Sequence, residues 1–155
     1  MAEAAKIVEE YGYDEVNLNC GCPSSKTKAG CFGAVLMYDP KLVAQITKAM
    51  IQAVSIPVTV KCRLGVDKLD TYPDVHNFIK IVSEEGGVEK FIIHARKCFL
   101  EGLNPLQNRT IPPLKYDWVM QLKNDFPHLR FVINGGFTEI DQVRHNFHYY
   151  YSHID

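Results

Sequence analysis

Four stretches rich in branched and aromatic residues each run out into a cluster of polar or reactive side chains. Residues 15–19 lead into Asn17-Leu-Asn-Cys-Gly-Cys-Pro23, 57–63 end on Lys61-Cys-Arg63, 90–95 carry His94-Ala-Arg96, and 129–134 stop at Asn134-Gly-Gly136. Amphipathic segments of helical period separate them. A chain that alternates in this way is constrained to a parallel sheet joined by right-handed crossovers. Ligands in such α/β folds bind beyond the carboxyl ends of the strands, so the four clusters are where chemistry is expected.

The intervening segments have readable ends. Residues 2–11 read as a helix. Over 40–54, Leu42, Ile46, Ala49, Met50 and Ala53 fall on one helical face, with Asp39 at the N-cap and Pro40 in the first turn. Over 72–85, Val75, Phe78, Ile79 and Val82 repeat at helical spacing until Gly86-Gly87 ends the run. Over 116–126, Val119, Leu122 and Phe126 form a buried face closed by Pro127. Thr138 and Asp141 resemble a capping box that opens a last helix. The 97–114 segment, rich in Asn, Gln and Pro, reads as a long βα loop built for binding. Two architectures share this rhythm. A length of 155 residues suits a small doubly wound sheet, whereas a (β/α)8 barrel takes roughly 250.

Composition excludes several classes. Hydrophobic content of 46% and charge of 23% fit an ordinary globular domain rather than a disordered chain. No run approaches the roughly 18 apolar residues of a membrane span, and 1–10 has no apolar signal core; no membrane partner is expected, and the cytoplasm is the default location. Seventeen basic and eighteen acidic side chains leave a net charge of -1, so any RNA contact must be local. Five cysteines, an odd number placed mostly near strand ends, suit reduced thiols better than a disulfide framework.

The densest chemistry is at Cys22. A thiol on a turn at a strand end can serve as a general acid if its acidity is tuned, although a free cysteine is more often a small buried hydrophobe. Cys20, Cys22, Cys31 and His94 compose a conceivable zinc set, but a Cys-x-Cys pair lacks the usual spacer and no second pair follows, so no metal is expected. Lys61 and Arg63 are in phase on one strand and could hold an anionic ring or phosphate, or else be solvated strand-end charges. His94 is open to readings as a ligand contact or a satisfied core histidine. Asn134-Gly135-Gly136 offers unobstructed backbone amides ahead of a helix.

Taken together, these motifs resemble the tRNA-dihydrouridine synthases, flavin enzymes that reduce uridine in tRNA. The match runs from about Ala2 to about Arg144 through Asn17-Leu-Asn-Cys-Gly-Cys-Pro23 with Gly30 and Gly33, Val60-Lys-Cys-Arg-Leu-Gly65, His94-Ala-Arg-Lys97 and Ile133-Asn-Gly-Gly136. The 102–114 loop, followed by Tyr116-Asp117, is similar to the A-type branch, which acts on D-loop uridines. The resemblance implies a TIM barrel, about four of whose βα units lie here. It implies Cys22 as the acid that protonates uracil carbon 5 while reduced FMN gives hydride to carbon 6, with NADPH as the expected reductant. Lys61, His94, Asn134, Gly135 and Gly136 would bind FMN. Asn19, Arg63, Arg96 and Arg109 would face the uridine or its tRNA. Alternatives are an FMN barrel acting on free pyrimidines, or a non-catalytic remnant.

Against the family pattern, the chain reads as a fragment. Two strands bearing flavin contacts would precede Met1. Residues 1–143 compose a partial catalytic domain, and 144–155 read as a divergent tail in place of a Gly-Arg strand and a helical RNA-binding domain. Leu106 stands where the A-type branch usually has a basic residue.

Overall fold

In the computed structural model, which describes residues 1–144, four strands lie side by side: β1 (Val16–Cys20), β2 (Val58–Arg63), β3 (Lys90–His94) and β4 (Arg130–Asn134). All neighbours are parallel and the sheet order is β1-β2-β3-β4. Every crossover therefore steps in the same direction. A doubly wound sheet reverses its order at a switch point; this one never does, and it is an arc of a barrel rather than a small complete sheet.

The two faces of the sheet differ as the period of two requires. One face carries Leu18, Cys20, Val60, Cys62, Phe91 and Ile93, all buried in a core shared with Val75, Phe78, Ile79 and Val82 of α4 (Tyr72–Glu84) and with Val119 and Leu122 of α6 (Tyr116–Asp125). The opposite face, by register, carries Asn17 and Asn19 of β1, Thr59, Lys61 and Arg63 of β2, Ile92 and His94 of β3, and Val132 and Asn134 of β4. Asn19, Val132 and Asn134 on it are exposed. Helices cover one side only, as on the outside of a barrel.

The helix boundaries agree with the sequence reading to within a few residues: α1 covers Ala2–Glu10 and α3 covers Pro40–Ile51. Asp39 caps α3 by accepting from the Leu42 amide, and Thr71 and Asp74 form a capping box on α4. Two expectations need correction. The buried stripe of α3 is Val43, Ala44, Thr47 and Met50, while Leu42 and Ala49 are exposed. Thr47 can be buried because its hydroxyl donates to the Ala44 and Gly86 carbonyls, and this rotates the apolar face. At the last helix, helical from residue 140, Asp141 does not complete a capping box; the Gln142 side chain instead accepts from the Thr138 and Glu139 amides. The structure also adds α2 (Ser25–Ala29), a 3-10 turn (Gly33–Tyr38) and α5 (Gln107–Thr110) within segments read as loop. The proposed tail at 144–155 falls, beyond Arg144, outside the described residues.

Candidate active site

The turn after β1 is fixed from several directions. The Asn19 side-chain oxygen accepts from the Gly21 and Cys22 amides at 2.9 and 3.1 Å. The Cys22 carbonyl accepts from the Ala34 amide at 2.8 Å and the Thr27 hydroxyl at 3.2 Å. Gly33 passes beneath with φ +68, where a Cβ would stand 2.4 Å from that carbonyl, so only glycine allows the approach. Ser24 caps α2 through the Thr27 amide. Burial acts to raise the Cys22 thiol pKa, but hydrogen bonding to Ser24 and Thr27 and the nearby Arg63 charge outweigh it, and the thiol lies below its ordinary value. Its fellow thiols go the other way: burial pushes Cys62 up to about 12 and Cys98 up to about 11, and also raises Cys20. Of these four, Cys22 alone is tuned toward acidity.

The neighbouring strand ends bring charge to the same place. Asn19, Cys22, Lys61, Arg63, His94, Arg109, Asn134, Gly135 and Gly136 line one cavity of about 410 Å³, together with Gly21, Pro23 and Pro105. Lys61 donates to the Asn134 side chain at 3.2 Å; its half-buried ammonium is held below the usual lysine range by desolvation and by Arg63. His94 is buried, and its Nε2 has no hydrogen-bond partner. Burial, with Arg63, Lys61, Arg96 and Arg109 around it, pushes the imidazole down to about 3, so the ring is neutral at physiological pH. Gly135 packs on that ring, where a Cβ would stand 2.2 Å from Cδ2, and Gly136 packs on Leu114 and Tyr116. The result is a cationic, half-enclosed cavity with one acidified thiol and one neutral imidazole.

Arg96 is not among these lining residues. Its guanidinium donates to the Pro112 carbonyl and thereby ties down the long loop after β3. Arg109 reaches the cavity from α5 with its side chain exposed. Several residues that shape the site escaped the sequence reading. Asn108 is fully buried, accepts from the Phe99 amide and donates to the Phe99, Leu103 and Asn104 carbonyls. Asp70 pairs with Lys97 at 2.7 Å and Lys115 at 3.1 Å, and the Tyr116 hydroxyl donates to the Gly135 carbonyl at 2.6 Å. An Asn-rich loop signals that some amide will knit it together, but not which one. For Asp70 the sequence holds no signal, because its partners lie far along the chain.

Among the described residues, no three His, Cys, Asp or Glu side chains are grouped to hold a metal ion, and no helix is long and apolar enough to cross a membrane. A larger cavity, of about 490 Å³, lies at the opposite end of the strands among residues such as Glu15, Pro57, Lys90 and Arg130. In βα barrels that end serves stability rather than catalysis.

A one-way parallel arc covered by helices on one side, with polar side chains gathered at the carboxyl ends of its strands, is part of a TIM barrel. The dihydrouridine synthase (Dus) family model matches residues 1–151. The chain belongs to that family. It is 52% identical, over 155 residues, to a tRNA-dihydrouridine(20/20a) synthase of Synechocystis sp., covering 100% of this chain and 45% of that protein. It is 54% identical over 144 residues to the tRNA-dihydrouridine(20/20a) synthase of Escherichia coli strain K12, covering 93% of this chain and 42% of the relative. The chain thus spans less than half the length of these curated relatives. Among solved structures, one from Burkholderia cenocepacia J2315 assigned as a phosphonomutase superposes with a TM-score of 0.53 at 16% identity, covering 86% of this chain and 49% of the other; that likeness concerns the fold alone.

Proposed function

We propose that this chain carries the catalytic face of an enzyme that reduces uridine to 5,6-dihydrouridine in the D-loop of tRNA, with FMN as its cofactor and NADPH as the reductant. The observation that supports it most is the convergence of Cys22, Lys61, His94 and Asn134, from four consecutive strand ends, on one cavity. The residues suit a flavin. The buried, unpartnered His94 Nε2 is a polar atom in need of a ligand, Lys61 can stand against an anionic ring or phosphate, and Gly135 and Gly136 leave the backbone open where a Cβ would intrude. Reduced FMN, when bound, supplies the hydride for carbon 6 of the uracil.

The protein supplies the rest. Cys22 gives its proton to carbon 5, so that one hydride and one proton saturate the double bond, and the resulting thiolate is stabilised by Ser24, Thr27 and Arg63. Asn19 spends its oxygen on the turn and keeps its amide NH2 for a uracil carbonyl. Lys61 and Asn134, bonded to each other, hold the cofactor side of the cavity. Arg109, exposed on α5, is placed for tRNA phosphate. The target base must leave its stack to enter. The reaction would take place where tRNA is found, in the cytoplasm or an organelle.

The test is made in the full-length context with flavin absorbance and mass-spectrometric counting of dihydrouridine in tRNA. Cys22→Ala is expected to keep FMN and lose tRNA reduction, on the order of 10² or more as for a removed general acid, and Lys61→Ala to weaken FMN binding. Equal product from Cys22→Ala and the parent would remove the acid assignment. Reduction of free uracil in preference to tRNA would point to the free-pyrimidine alternative.

A further inference from the structure

Arg63 has little freedom left to meet a substrate. It is 4% exposed. Its Nε donates to the Gly21 carbonyl at 3.2 Å and its Nη1 to the Asn108 carbonyl at 2.8 Å. The first acceptor belongs to the peptide that leads directly into Cys22. The second belongs to the residue whose side chain gathers Phe99, Leu103 and Asn104 into the folded part of the long loop. One buried guanidinium therefore spans the cysteine turn and the loop after β3, which otherwise come from separate strands. Asn19 holds the amide side of the same turn, so both edges of the Gly21 peptide are fixed.

We propose that Arg63 is a positioning residue: by bridging the Gly21 and Asn108 carbonyls it locks the cysteine turn to the long loop and sets the pose of the Cys22 thiol. Its importance for catalysis rests on the reading of Cys22 as the proton donor, but the bridge itself is a property of this chain. A lysine retains the charge yet cannot donate to two carbonyls in a fixed fork, because its ammonium is a compact point charge on a flexible stem. Charge and bridge can therefore be separated. The other charged or titratable groups around the thiol are Lys61, His94 and Arg109, which share the cavity, and none of them is substituted in the variants below.

The experiment uses the chain in its full-length context, without flavin or RNA. Iodoacetamide alkylation of each cysteine is followed by peptide mass spectrometry from about pH 6 to 9, the range in which thiol reactivity reports thiolate fraction. Cys31 is exposed and serves as an internal reference; Cys20, Cys62 and Cys98 are buried and report any loss of fold. In Arg63→Lys the Cys22 profile is expected to move to higher pH, with labelling roughly three- to tenfold slower at neutral pH, while Cys31 keeps its rate and the buried thiols stay protected. Asn108→Ala, which leaves Arg63 intact but frees the loop that presents the second carbonyl, is expected to shift Cys22 in the same direction.

An unchanged Cys22 profile in folded Arg63→Lys overturns the proposal and leaves the charge alone as the cause. If Arg63→Lys exposes the buried thiols, Asn108→Ala decides in its place. Exposure of those thiols in both variants would mean that Arg63 holds up the fold rather than the thiol, which also overturns it. Because the readout needs neither FMN nor tRNA, failure here is distinct from failure of the proposed reaction.

Discussion

Replacing Gly135 with alanine probes the tightest contact in the site. A Cβ there would stand 2.2 Å from His94 Cδ2 and 2.5 Å from Nε2, and the backbone at 135 has φ +100, a conformation L side chains rarely adopt. Two costs add. Holding a non-glycine residue in that backbone region costs about 1–3 kcal/mol, and forcing a methyl against a buried ring costs about 1–3 kcal/mol. Together they destabilise by about 2–6 kcal/mol, and for a chain of this size each kcal/mol lowers the melting temperature by about 2–4 °C. Thermal unfolding followed by circular dichroism is expected to show a drop of roughly 4–24 °C. His94→Ala separates the two costs. Without the ring, Gly135→Ala should cost only its backbone share, so the double variant falls short of additivity by about 1–3 kcal/mol. A Gly135→Ala melting temperature within about 1 °C of the parent, or a strictly additive double variant, would refute the contact.

The acid limb of stability should carry the signature of His94. Its folded pKa is lowered from 6.5 to about 3, so the unfolded chain takes up the proton first, and the stability tied to the neutral ring is complete above about pH 6.5 and is lost as pH falls toward 3. In urea unfolding at a series of pH values, His94→Gln should flatten that slope; an unchanged slope would refute it. Asp70 follows the carboxylate rule. Burial acts to raise its pKa, but Lys97 and Lys115 outweigh it and hold it below its ordinary value. Its contribution is present above the usual carboxylate range and lost as pH falls through the lowered value. Asp70→Asn should thus cost about 1 kcal/mol near neutrality and nothing in strong acid, and an equal cost at both would count against the pairing. Among the described residues β1 and β4 have unpaired outer edges, and Val132 on the inner face is 42% exposed. The 155-residue chain alone should therefore self-associate with rising concentration in light scattering, whereas a strict monomer at all concentrations would argue against open edges.

Much of the fold was legible because local signals set it. Asp39-Pro40 and Thr71 start helices, Gly86-Gly87 and Pro127 stop them, and runs of β-branched residues mark the strands. The choice between an open doubly wound sheet and a barrel was not local. It depends on strand order, which period and capping do not encode, and length argued for the wrong one until the family resemblance was weighed. The candidate site was legible at the strand ends, where period and polarity coincide: Lys61, His94 and Asn134 come together in the structure as their positions imply. Its supports were hidden. Thr47 looked polar and was left out of the buried face of α3, although its hydroxyl is satisfied across to Gly86. Asp70 acts through partners brought close only by the crossover connections, and Asn108 through backbone groups of its own loop that no motif marks. Arg96 looked equivalent to Arg63 by motif, yet the two guanidinium groups are spent on different carbonyls.

The inner face of the sheet explains why the strand order and the site belong together. Asn19, Lys61 and Asn134 are polar on the side where a doubly wound fold would place a second layer of helices. Burying them there without partners would cost several kcal/mol each, and nothing on this face offers an apolar surface in exchange apart from Ile92 and Val132. Along the barrel arc polar side chains of this face partner one another instead: Asn17 donates to the Thr59 hydroxyl at 2.8 Å, Lys90 pairs with Glu15 at 2.6 Å, and Lys61 donates to Asn134, while Asn19 bonds its own turn. These pairings across the arc leave His94 Nε2, in the uppermost layer, without a partner, and so with polar capacity to spare. A ligand for this face is therefore best satisfied at the carboxyl ends of the strands, next to the Cys22 thiol, which its neighbours hold below its ordinary value.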